Sequence, residues 1–174
     1  MGHHIQAFIS REELIKEIAQ HYQTAIVIPL SQRFGMLPIT EQFYDGLPNL
    51  QHPDKTDKRF LYLGPKLHQL GKAFSVKAPL AYIETEYFGG TGFQGAVVWA
   101  NGQIIFGPGI TGDEDDFQMD DLPDRAINIA LRKLGVLKGD SHDEFDAIGL
   151  GKHRDNEGWA DELTAPAQNE GAER

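Results

Sequence analysis

Glu84 and Glu86 stand two residues apart in PLAYIETEYF, a run of strong β-formers from Pro79 to Phe88. On a strand that spacing puts both carboxylates on one face. Two neighbouring carboxylates can divide acid and base roles between them. Leu80 and Tyr82 share that face, so the glutamates end an apolar stripe beside a glycine turn. The plainer account is the polar outer face of an antiparallel sheet, which is common.

A second concentration of reactive groups lies in HDEFDAIGLGKHR, residues 142–154. If its first residues form a helical turn, His142 and Asp146 share a face at i, i+4. An aspartate there can orient the imidazole or simply cap the turn. Lys152, His153 and Arg154 follow a Gly-Leu-Gly turn and form the one compact basic cluster. Against a site stands the plainer packing of Phe145, Ile148 and Leu150 onto a sheet. If the chain is an enzyme, its candidate catalytic groups are Glu84, Glu86, His142, Asp146 and His153.

Three motifs invite a cofactor or a metal. Gly90-Thr91-Gly92-Phe93-Gln94-Gly95 matches G-x-G-x-x-G, but a dinucleotide loop must open a helix. Here VVWANGQIIF follows, which reads as β, so a nucleotide site is rejected. The loop amides can still cradle an anion. The expected ligand-binding set is therefore Gly90, Gly92, Gln94, Lys152, His153 and Arg154. The acidic run 112–121 (GDEDDFQMDD) begins like an EF-hand, but Phe117 and Gln118 fall where a ligand and a glycine are required. A histidine at position three suits square-planar copper or nickel chelation with a free amine. His3 and His4 lead straight into a strand, however, and packing explains them more simply. H-D-E-F-D lacks zincin spacing, and no P-loop, kinase or G-x-S-x-G pattern occurs. No metal and no cofactor is expected.

These groups need elements to position them. Residues 4–9 read as a strand, and Ser10 with Glu13 as a capping box for a helix to Tyr22. Residues 24–30 (TAIVIPL) read as a second strand. Prolines and glycines break up residues 31–60, with Thr40 capping a short helix and 52–59 forming a polar loop. Residues 60–63 read as a brief strand or turn, and 65–74 as a helix. Gly89 to Gly92 makes a turn, and Asn101-Gly102 joins 94–100 to 103–106 as a hairpin. A helix starts near Leu122, capped by Asp121, and ends at Gly135. The sum is α+β, a mixed and mainly antiparallel sheet with a central hairpin (79–106) covered by helices. Residues 1–159 form one domain, and 160–174 a flexible acidic tail.

Bulk composition narrows the function classes. The 174 residues carry a formal net charge of -10 and no cysteine. Without clustered Lys and Arg a broad nucleic-acid footprint is not expected. No apolar run is long enough for a membrane span, and the first residues do not read as a secretory signal. The expected location is the cytoplasm. Charge alone permits a basic protein partner at the acidic loop.

MGHHIQAF, EYFGGTGFQGAVVW, NIALRKLGV and HDEFDAIGLGKHR, in that order, resemble a family of uncharacterised bacterial proteins. The resemblance spans most of residues 1–159, implies that His3 and His4 are native, and implies no activity. Two functions follow from the residues. One is a binding protein without catalysis, akin in size and charge to immunity proteins that neutralise a protein partner. The other is a small hydrolase or group-transfer enzyme with its site at the 89–95 turn and the 142–154 segment.

Overall fold

A computed structural model describes residues 2–50, 60–112 and 123–164. Six strands form one sheet in the order β2-β3-β1-β4-β5-β6, every neighbouring pair antiparallel. They are β1 (His3–Arg11), β2 (Ile28–Pro29), β3 (Phe34–Pro38), β4 (Leu80–Phe88), β5 (Thr91–Ala100) and β6 (Gln103–Gly112). The α+β class expected from the sequence is the one observed.

Helices cover both faces. On one lie α1 (Glu12–His21), α2 (Glu41–Asp45) and α3 (Pro65–Phe74), packed on Phe8, Leu37, Tyr82, Val97 and Trp99. On the other lie α4 (Ala126–Leu134), α5 (Glu144–Ala147) and α6 (Asn156–Thr164), packed on Ile5, Ala7, Ile9, Ile83 and Val98. The period-two alternation of each strand builds two cores from consecutive residues. Both hairpin turns run through positive φ: Gly89-Gly90 between β4 and β5, Asn101-Gly102 between β5 and β6.

Several elements differ from the sequence reading. Ser10 does not cap α1; it stays in β1 opposite Gly35, and its hydroxyl donates to the Pro79 carbonyl at 2.7 Å. Only Ile28–Pro29 of residues 24–30 is strand, because β3 offers two partners there and Pro29 has no N–H to extend the ladder. β3 carries Gly35 and Pro38 within it, which mask it in the sequence as part of a broken region. Residues 60–63, expected as a brief strand or turn, bend at residues 61–62 and form no strand. α4 begins at Ala126 rather than near Leu122, since its first amides are capped by the sheet: Thr111 Oγ1 accepts from Ala126 N at 3.1 Å, and Gln94 Oε1 from Ile127 N at 3.1 Å. The helix α6 spans Asn156–Thr164. The polar loop 52–59, most of the acidic run 112–121 and the end of the tail lie outside the described residues.

β3 turns away from β1 after Pro38, where Ile39 N makes a last bond to the Gln6 carbonyl at 2.8 Å, and leaves the His4 and Gln6 amides without a β3 partner. Residues 154–156 close this edge. His4 N donates to the Arg154 carbonyl at 2.6 Å, His4 and Asp155 form a parallel bridge, and Gln6 N donates to Asn156 Oδ1 at 3.1 Å. Among the described residues no helix is long and apolar enough to cross a membrane.

Candidate functional site

At one end of the α4-covered face the core gives way to a polar cleft of about 380 Å³. The sheet supplies its floor with alternate residues: His3 from β1, Thr85 and Tyr87 from β4, Gln94 from β5. Arg125 and Asn128 come from the start of α4. His142, Asp143 and Phe145 form the opposite wall.

The Tyr87 hydroxyl links the sheet to the start of α4 in this cleft. It accepts from Gln94 Nε2 at 3.3 Å and from Arg125 Nη1 at 3.1 Å. With both acceptor positions used, its own proton is left to donate. Gln94 is held by its second bond, since its oxygen caps α4. Asn128 is buried and ties α4 to α5: its amide donates to Asp143 Oδ2 at 3.3 Å, and its oxygen accepts from Phe145 N at 3.2 Å. Asp143 in turn caps α5 by accepting from Asp146 N at 2.8 Å. The cleft wall is therefore fixed by a connected string of bonds.

His3 and Thr85 lie 2.8 Å apart through Nδ1 and Oγ1. Burial, then the charge of Arg154, lowers the His3 pKa below its ordinary value of 6.5, with the Leu150 backbone acting in the opposite sense. A neutral imidazole beside a hydroxyl is the geometry of a base and a nucleophile. Thr85 nevertheless sits within the sheet, buried, and its oxygen already accepts from Ile5 N at 3.0 Å. That bond makes it a pin between β1 and β4.

The glutamate pair takes another role. Glu84 and Glu86 do share a face, as their spacing requires, but it is the face of α1–α3. Glu84 is only 1% exposed. Its carboxylate accepts from Leu61 N at 2.8 Å, Tyr62 N at 3.3 Å and the Tyr82 hydroxyl at 2.9 Å. Burial raises its pKa above the ordinary value of 4.5, and these donors act in the opposite sense. Beside it, Gly95 leaves room for the Phe60 ring, which a Cβ would meet at 2.7 Å. Glu84 is thus a latch that seats residues 60–63. Glu86 pairs with His4.

The remaining candidates scatter. Gly90 turns the hairpin, and a Cβ at Gly92 would strike the Glu86 carbonyl at 1.9 Å. These glycines serve the backbone. Asp146 Oδ2 accepts from the His142 backbone N–H at 3.3 Å, so it caps the turn and does not orient the imidazole. Lys152 pairs with Glu162, and His153 Nε2 lies 2.8 Å from the same carboxylate with its ring against Trp159. Arg154 contributes its carbonyl to the β1 edge. Glu84 and His153 lie on opposite sides of the sheet, so one pocket uniting them is excluded. Gln94 and His142 do converge.

Arg125, Asn128 and Thr85 escaped the sequence reading. The signal that could have found them is the period-two register of residues 85, 87 and 94 with His3, which needs the strand pairing first. Among the described residues no group of three or more His, Asp or Glu is placed to hold a metal. Comparison with family models, curated proteins and solved structures finds no match to this chain.

Proposed function

We propose that the chain is a binding protein whose cleft beside α4 takes a small molecule bearing both a carboxylate and an amino group. One observation carries this reading. The Tyr87 hydroxyl, already accepting from Gln94 and Arg125, has a proton left to donate beside the Arg125 guanidinium. Donors so arranged suit a carboxylate, and arginine adds bidentate geometry. Asp143 on the facing wall has two of its acceptor positions in use and others free for an ammonium group. Its volume lies in the range of small-ligand sites.

Thermal-shift titration with the common amino acids and their deaminated analogues tests the reading. At least one amino acid raises the midpoint, its deaminated analogue does so less, and Arg125→Ala and Tyr87→Phe each lower the affinity at least tenfold. A panel with no effect, or binding that survives Arg125→Ala unchanged, would sink it.

A further inference from the structure

A second and larger cleft, of about 550 Å³, opens where α6 crosses the edge of β1. Gln6 lines it from the strand, Glu41 from α2, and Asp155, Glu157 and Asp161 from the start and body of α6. Among the described residues none of these four carboxylates is ion-paired with a lysine, arginine or histidine. Clustered acids alone describe a solvated surface. Gln6 adds something different.

Gln6 is only 6% exposed, and its Nε2 is buried without a hydrogen-bond partner. The orientation of its amide follows from its neighbours. Asn156 accepts the Gln6 backbone N–H on Oδ1, and its Nδ2 donates to the Ile39 carbonyl at 3.0 Å. Those two backbone contacts fix which end of Asn156 is nitrogen. The same Nδ2 then meets Gln6 Oε1 at 3.3 Å, so the Gln6 oxygen must face Asn156. A flipped Gln6 would set two NH2 groups against each other. The group left over is therefore a donor, and burying a donor without an acceptor is unfavourable.

The cleft thus asks for two things at once: positive charge for its carboxylates and an acceptor oxygen for Gln6. A bare metal ion meets the first and is repelled by the amide N–H2. A basic residue within a polypeptide meets both, with its charged head among the carboxylates and a main-chain carbonyl for Gln6 Nε2. The whole-chain charge of -10 favours encounter with such a partner.

We propose that this cleft docks an arginine or lysine side chain of a basic protein partner, with Gln6 receiving a carbonyl of the partner's backbone. The site is independent of the cleft beside α4, and either reading can fail alone.

The probe is the peptide acetyl-Gly-Arg-Gly-amide, titrated into the full chain and followed by amide-correlation NMR. The expected result is movement of the Gln6 side-chain NH2 signals together with residues 155–161. The citrulline peptide, of equal shape and no charge, binds at least tenfold more weakly. Exchanging Glu157→Gln and Asp161→Asn, both exposed on α6, weakens the arginine peptide tenfold or more while the rest of the spectrum keeps its dispersion. Three results would overturn the proposal: Gln6 signals unmoved by millimolar peptide, equal binding of the citrulline peptide, or the same shifts produced by calcium or magnesium at lower concentration.

Discussion

His3 and His4 are neighbours in sequence, yet they serve opposite sides of the molecule. On the α4 side His3 meets Thr85, and Arg125 and Asp143 reach their uncharged neighbours Tyr87 and Asn128 around an open cleft. On the other side His4 meets Glu86, and Glu84 lies buried as a carboxylate held by three donors. Strands β1 and β4 therefore send odd-numbered residues to an open polar cleft and even-numbered ones to a charged latch. Adjacency along a strand separates functions, and residues two apart share a face.

That contrast can be broken from the latch side first. Glu84→Ala leaves two backbone donors and the Tyr82 hydroxyl without their acceptor. It should cost about 3 kcal/mol, on the order of 10 °C in the unfolding midpoint. Denaturant titration checks this, and a loss below 1 kcal/mol would mean the loop is not seated by the carboxylate. Gly95→Ala acts on the same latch by forcing the Phe60 ring to move, at about 2 kcal/mol. Calorimetry on the variant should show it more damaging than alanine at exposed Gly151, where a Cβ would meet nothing closer than 3.8 Å.

The cleft side should respond less. Thr85→Val removes one acceptor for Ile5 N and the His3 contact, and should cost about 1 kcal/mol in urea unfolding. A cost equal to that of Glu84→Ala would erase the distinction between the faces.

The smallest effect is a pH dependence. His3 has its folded pKa below 6.5, so its contribution is present above pH 6.5 and is lost as pH falls toward the folded value. Glu84 has its folded pKa above 4.5, so its titration contributes in the opposite sense, most below pH 4.5 and less as pH rises through the folded value. Between pH 7 and 5 the His3→Gln variant should therefore lose less stability than the parent, by under about 1 kcal/mol. An identical slope in the two proteins would show that His3 is not held neutral.

Features that were legible in the sequence are those with local causes. Asn101-Gly102 announced a turn because few residues take positive φ at both positions. Pro65 to Phe74 announced a helix through its apolar spacing, and the Glu84 and Glu86 spacing correctly put both on one face. What that face would hold could not be read, because the groups that claim Glu84 come from residues 61 and 62. The same holds for β3, which exists through its pairing with β1, and for α4, whose first amides are capped by Gln94 and Thr111. Gln94 and His142 were singled out for separate reasons, and their meeting depends on the sheet register between them.

The closure of the β1 edge by residues 154–156 has a kinetic meaning. Gln6 and Asn156 are 150 positions apart, so their contact closes nearly the longest loop the described chain contains. Its entropic cost is met only after the intervening sheet has formed. α6 should then dock late in folding and release early in native-state fluctuations, and each release frees the His4 and Gln6 amides. Those two amides should exchange with solvent in step with α6, ahead of Phe8 and Ile9 in the same strand. The acidic cleft would open and vanish with that motion, while the cleft beside α4 keeps most of its floor.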